Sequence, residues 1–136
     1  MNLSPQSTQS FAELKNISQG VLDSAFRVHS ALGPGLLESA YEHCLCHELT
    51  KRNIRTDRQV QLPVIYDGIK IDAGYRIDLL VENHLIIEIK AVDHLLPIHE
   101  AQLLTYLKLA DKKVGLLINF NVKSLKDGIK RMVHNL

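Results

Sequence analysis

The sequence predicts an α/β domain built on one mixed sheet, with elements in the order ααβββαβα. Three observations lead there. Apolar residues recur every three or four positions through residues 11–32 and again through 36–52, which marks two helices. After Asn53 the spacing changes to alternation, the period of strands with one buried face. Further on, Val114-Gly115-Leu116-Leu117-Ile118-Asn119-Phe120 is a near-continuous apolar run, as a strand covered on both faces would be.

Taken in order, Leu14, Ile17, Val21, Ala25, Val28 and Leu32 form the stripe of the first helix. Gly33-Pro34-Gly35 ends it, because glycine takes a left-handed cap position and proline cannot continue a helix. The second helix turns Leu37, Ala40, Tyr41, Cys44, Leu45 and Leu49 inward. Val60, Leu62, Val64 and Tyr66 then alternate with Gln59, Gln61 and Pro63 in a first strand, and Asp67-Gly68 supplies a hairpin turn. Pro63 puts that strand at an edge, since it has no ladder donor. A second strand is expected over residues 69–81 and a third over 85–92, across the short turn Glu82-Asn83-His84. Pro97 opens a helix over 98–110, and a basic helix over 123–134 is expected to close the chain.

With 136 residues, 46% of them apolar and 23% charged, the chain suits one globular domain over residues 11–136 behind a short disordered tail at 1–10. Net charge is +1, too balanced to announce bulk nucleic acid or a membrane as partner. No apolar run approaches the roughly 20 residues that span a bilayer. The N-terminus lacks the charged and apolar regions of a signal peptide, and Cys44 and Cys46 make no disulfide framework. A cytoplasmic protein is expected.

The chemistry lies in the third strand, Leu85-Ile86-Ile87-Glu88-Ile89-Lys90-Ala91. A carboxylate and an ammonium in so apolar a segment are costly to bury unless paired or bound to an ion. Glu88 and Lys90 are two apart and share a face. If Glu82-Asn83-His84 is a three-residue loop, Asp78 on the preceding strand lies directly opposite Glu88. Two like charges in register call for a cation between them, and oxygen ligands suit Mg²⁺ or Mn²⁺. The competing reading is an ordinary salt bridge, Glu88 to Lys90 or Asp78 to Arg76, on a solvated sheet face.

Asp78 followed by Glu88-Ile89-Lys90 resembles the D-x(n)-E-x-K signature of the PD-(D/E)xK nuclease superfamily. Gly35-Leu36-Leu37-Glu38-Ser39-Ala40-Tyr41 spells the motif of the GxxExxY family within it. Gln102-Leu103-Leu104-Thr105-Tyr106 is similar to the QxxxY motif of its RecB-like branch, and Gly115 to Phe120 resembles the strand that follows in GxxExxY proteins. Ile77 stands where the superfamily often has proline. The resemblance implies a restriction-endonuclease-like αβββαβ core with a mixed sheet, here with an extra N-terminal and an extra C-terminal helix. It implies Glu38, Asp78 and Glu88 at the metal, Lys90 polarising the attacking water, and Gln102 orienting water or a phosphate oxygen. Tyr106, Tyr41, His29 and His99 are expected to border the substrate. For Glu38 the plainer role is a carboxylate favoured by the dipole of its own helix. For Gln102 and Tyr106 it is a helix start and a half-buried aromatic.

The expected activity is divalent-metal-dependent hydrolysis of nucleic acid, DNA before RNA, by a homodimer. One rival is a nucleic-acid- or protein-binding module that keeps the fold without turnover, and another is chemistry on a small phosphate. Nothing offers a Ser-His-Asp arrangement, a phosphate-binding glycine loop or a dinucleotide fingerprint. His43, Cys44, Cys46 and His47 do not share one helix face and have no second ligand pair, so zinc is not expected. Residues 108–131 carry a basic excess of five, with Lys51, Arg52, Arg55 and Arg58 as a second cluster, but no aromatics interleave them. Like charges at close range disfavour joint ionisation, so at least one site carboxylate is expected to titrate above its ordinary value.

Overall fold

The computed structural model describes residues 4–136, with side chains from residue 11 onward. The elements run α1 (Ser4–Leu32), α2 (Glu38–Lys51), β1 (Thr56–Gln61), β2 (Val64–Tyr66), β3 (Ile69–Ile71), β4 (Arg76–Val81), β5 (Leu85–Lys90), α3 (Pro97–Ala110), β6 (Val114–Asn119) and β7 (Ile129–Val133). Helix α1 thus begins at Ser4 rather than near Phe11, and residues 1–3 of the expected tail lie outside the described residues. The main sheet has the order β1-β4-β5-β6-β7, with β5 and β6 parallel and the other neighbours antiparallel. The expected αβββαβ core corresponds to α2-β1-β4-β5-α3-β6, with β1 at the edge.

The sheet is covered on both sides. Val21 and Ala25 of α1 and Tyr41, Leu45 and Leu49 of α2 pack on Leu79, Ile87 and Ile118. On the other face Leu103, Tyr106 and Leu107 of α3 pack on Leu80, Ile86 and Leu117. This double covering explains why β6 reads as one apolar run: all six of its residues are buried.

Three segments depart from expectation. The first expected strand breaks at Leu62-Pro63, so β2 pairs with β3 as a separate hairpin, closed by Asp67 and Gly68 at φ 54° and 75°. The expected long second strand breaks at residues 72–75, where Asp72 Oδ1 accepts the Gly74 N–H at 3.0 Å and Gly74 turns to φ 83°. The expected C-terminal helix is absent. A 3₁₀ turn, Leu125–Gly128, leads into β7, which pairs antiparallel with β6. Buried β6 needs a partner for its outer N–H and C=O groups, and β-branched Ile129 and Val133 suit a strand. Gly128 permits the turn, because a Cβ there would run into the Asn119 carbonyl.

The corner between α1 and α2 is built around one tyrosine. Gly33 and Gly35 sit at φ 65° and 106°, and fully buried Tyr41 reaches back to them. Its hydroxyl donates to the Gly33 carbonyl at 2.6 Å and accepts the Leu36 N–H at 3.1 Å, while its ring stacks on Phe120 at 4.6 Å. The spacing from Gly35 to Tyr41 thus holds the corner, and Tyr41 is not available to border a substrate as expected.

Tyr41→Phe keeps the ring and strands both backbone groups. It should lower the unfolding free energy by about 1–3 kcal/mol, with the denaturant slope unchanged, as read by urea unfolding. Unchanged stability would show that the hydroxyl does not hold the corner.

Candidate active site

Strands β4 and β5 are joined by the three-residue turn expected, with Glu82 and Asn83 at φ 51° and 57°. Their ladder pairs Val81 with Leu85, Leu80 with Ile86 and Leu79 with Ile87. One step further, Asp78 and Glu88 come opposite each other and the ladder gives way to side chains. The Asp78 N–H donates to Glu88 Oε2 at 3.0 Å, and the Ile89 N–H donates to Asp78 Oδ2 at 2.8 Å. Each carboxylate is therefore held by the backbone of the other's strand. The alternation of β4 also breaks here: Leu79 and Val81 pack with α1 and α2, whereas Leu80 and Ile77 pack on the α3 side. On the neighbouring strand Gln59 takes a left-handed φ of 52°, a conformation rare for a side chain of its kind. The irregularity spans three strands at one level of the sheet.

The electrostatics follow from burial. Glu88 is only 5% exposed, and desolvation, reinforced by the Asp78 charge, pushes its pKa up to about 8. Burial raises Asp78 as well; the Ile89 N–H opposes the shift and the Glu42 charge adds to it. Lys90 lowers both values yet, among the described residues, makes no ion pair. Nor does Arg76 pair with Asp78; it lies 3.8 Å from Asp72. Neither ordinary salt bridge is formed, and the two carboxylates face each other.

Glu42 was not anticipated. It is buried on α2, accepts from Arg58 Nη2 and from Gln59 Nε2 at 2.7 Å each, and through Gln59 reaches toward Asp78 Oδ1 at 3.4 Å. The signal was present in the spacing, since Glu42, Leu45 and Leu49 lie three and four apart on the buried stripe of α2. Glu38, one turn earlier, is not brought to the pair as expected. Its carboxylate accepts the Ala91 N–H at 3.3 Å, one residue beyond the end of β5.

From α3, Gln102 Nε2 donates to Tyr106 Oη at 3.1 Å, the pair four apart on one helix face. Tyr106 is buried and its pKa raised, by desolvation first and then by the charge of Glu88, so its hydroxyl stands within the field of the pair. His99 lies on the same helix, where Nδ1 accepts the Leu96 N–H at the helix start. His29 is turned elsewhere, with Nε2 donating to the Val122 carbonyl at 2.7 Å. Among the described residues no group of three or more His, Cys, Asp or Glu side chains is gathered as a metal-holding cluster. The Asp78–Glu88 pair still suits a divalent cation: Mg²⁺ is commonly held by one or two carboxylates, with water and phosphate oxygens completing its shell.

A model of the PD-(D/E)XK nuclease superfamily matches residues 15–132. The chain belongs to that superfamily. The five-stranded mixed sheet and its covering helices are consistent with the restriction-endonuclease-like fold of such proteins. No curated protein and no solved structure matches the chain.

Glu88 binds its proton more tightly in the folded chain than in the unfolded one, where its pKa is near 4.5. Its stabilising contribution is whole below about pH 4.5 and is lost as pH rises through about 8. Asp78 shifts in the same direction. Urea unfolding without divalent ions should therefore show stability falling across this window, and Glu88→Gln should flatten the fall and match or exceed the parent above it. A variant less stable at every pH would contradict the charge repulsion.

Proposed function

We propose that this protein hydrolyses phosphodiester bonds of nucleic acid, DNA before RNA, with a divalent cation at Asp78 and Glu88, and that it is a GxxExxY-type nuclease. The single observation behind this is the carboxylate pair, in register and without a protein cation in contact, with Glu88 buried and Asp78 half-buried. A salt-bridged core would pair each carboxylate; a cation site leaves them facing.

Bound there, Mg²⁺ or Mn²⁺ would lower the pKa of a coordinated water and neutralise charge gathering on phosphorus. The chain's own residues divide the remaining work. Lys90, on the same face as Glu88, holds the attacking water and offsets negative charge on the phosphate. Gln102, fixed through Tyr106 Oη, orients the water or a phosphate oxygen. Glu42, itself anchored by Arg58, holds Gln59 against Asp78 and so positions that carboxylate. On a duplex one copy reaches one strand, so the same reading expects a homodimer, and light scattering that returns a monomer would count against it.

The decisive experiment is cleavage of single- and double-stranded DNA and RNA with Mg²⁺ or Mn²⁺. Lys90→Ala should lose about a hundredfold or more in rate while remaining folded. In parallel, the parent should gain about 2.7 kcal/mol of stability at a Mg²⁺ concentration of about 100 times its dissociation constant, and Glu88→Gln should lose most of that gain. Cleavage that survives Lys90→Ala, or a parent indifferent to the ion, would overturn the proposal.

A further inference from the structure

Beside the carboxylate pair lies a cavity of about 460 Å³ that the chemistry above does not use. Helix α3 lines it with Ile98, Gln102, Thr105 and Leu109, spaced at helical intervals as a second stripe next to the core stripe of Leu103 and Leu107. Tyr75 and Tyr106 form an aromatic wall, their rings 6.0 Å apart and inclined at 61°. Tyr106 is buried, but Tyr75 is 43% exposed and Ile98 65% exposed. No Asp, Glu, Lys or Arg is among the described residues that line the cavity. On the hairpin, Val64 borders the cavity, and Tyr66, two residues on and so on the same face, carries an aromatic surface outward at 71% exposure.

We propose that this cavity receives an unpaired base of a single-stranded nucleic acid, next to the phosphate held at Asp78, Glu88 and Lys90. The position of that phosphate rests on the nuclease reading. The cavity touches the site through Tyr106 and Gln102, so a strand lying across the pair brings a neighbouring base to the aromatic wall. A base offers a flat neutral face and a polar edge. Tyr75 and the apolar floor suit the first, and His99 and Thr105 suit the second. Arg76, next to Tyr75, and Lys90 supply cations for the flanking phosphates, as a strand with a neutral base and a charged backbone requires. In a duplex the base faces are already stacked and the edges paired, so a paired base cannot enter. Net charge points the same way: at +1, backbone attraction is weak, and stacking must supply much of the affinity.

Fluorescence anisotropy tests this with labelled oligo(dT), oligo(U), an abasic deoxyribose-phosphate strand and a duplex, each titrated in Ca²⁺ and in EDTA. Oligo(dT) or oligo(U) should bind at least tenfold tighter than the abasic strand and the duplex. Tyr75→Ala should weaken that binding about 5- to 150-fold, from about 1–3 kcal/mol of stacking per base. Tyr75→Phe should retain it, and Ile98→Ala, at an exposed position, should weaken it without disturbing the fold. Abasic binding equal to oligo(dT) and oligo(U), or parent-like binding by both Tyr75→Ala and Ile98→Ala, overturns the proposal; the latter is the result expected if the patch docks a protein. The two readings fail separately. Base-dependent binding without cleavage sinks the nuclease reading alone, whereas cleavage that needs Glu88 and Lys90 but binding indifferent to Tyr75 sinks the base pocket alone.

Discussion

The crossed bonds between β4 and β5 set the terms for everything around them. Where the ladder ends, each strand's amide is taken by a carboxylate from the other, Asp78 N–H by Glu88 and Ile89 N–H by Asp78. These bonds satisfy backbone donors that the departing ladder would leave bare. They also fix two acidic groups face to face inside an apolar sheet, which is unfavourable unless a proton or a cation offsets the charge. The proton is the offset available to the chain alone, which is why Glu88 retains it to about pH 8. A divalent cation would compete for the same place, so ion binding and proton release are linked at this pair.

The surrounding irregularities follow from that constraint. Gln59 adopts its left-handed conformation directly across from Asp78 and spends its amide on Glu42 and Asp78. Glu42 is buried but not isolated, because Arg58 pairs with it. Strained backbone and buried charge concentrate at one level of the sheet, while the rest of the core consists of aliphatic residues and a few aromatics, Tyr41 and Phe120 among them. The Tyr41 corner lies apart from this level and serves stability: it closes the α1–α2 hairpin and joins it, through the stack on Phe120, to the end of β6.

Much of this was readable from the sequence, and the failures have causes. The opposition of Asp78 and Glu88 followed from a strand period of two and a three-residue turn, which together leave one register. The helices followed from their stripes. The C-terminal segment was misread because Lys123, Lys126, Lys130 and Arg131 suggested an exposed helix, whereas the demand came from β6, whose outer edge needed a strand. The break at Leu62-Pro63 was invisible because alternation runs through it unchanged. For Glu38 the motif gave a role but no contact: its carboxylate accepts the Ala91 N–H, while Glu42, one turn on, is relayed to Asp78 through Gln59.

Helix α3 shows how one short element can serve three purposes. Leu103 and Leu107 are buried on the sheet, Ile98, Thr105 and Leu109 face the cavity, and Gln102 and Tyr106, bonded to each other, line the cavity within the field of the carboxylates. Because all three sets sit on one rigid helix, none can shift without the others. Packing of the leucines therefore fixes the distance between the cavity wall and the carboxylate pair. Tyr106 belongs to all three, buried in the α3 cluster, bonded to Gln102 and edge-on to Tyr75. A geometry held in this way is set by the hydrophobic core, so the cavity wall and the carboxylate pair keep their spacing as one rigid unit.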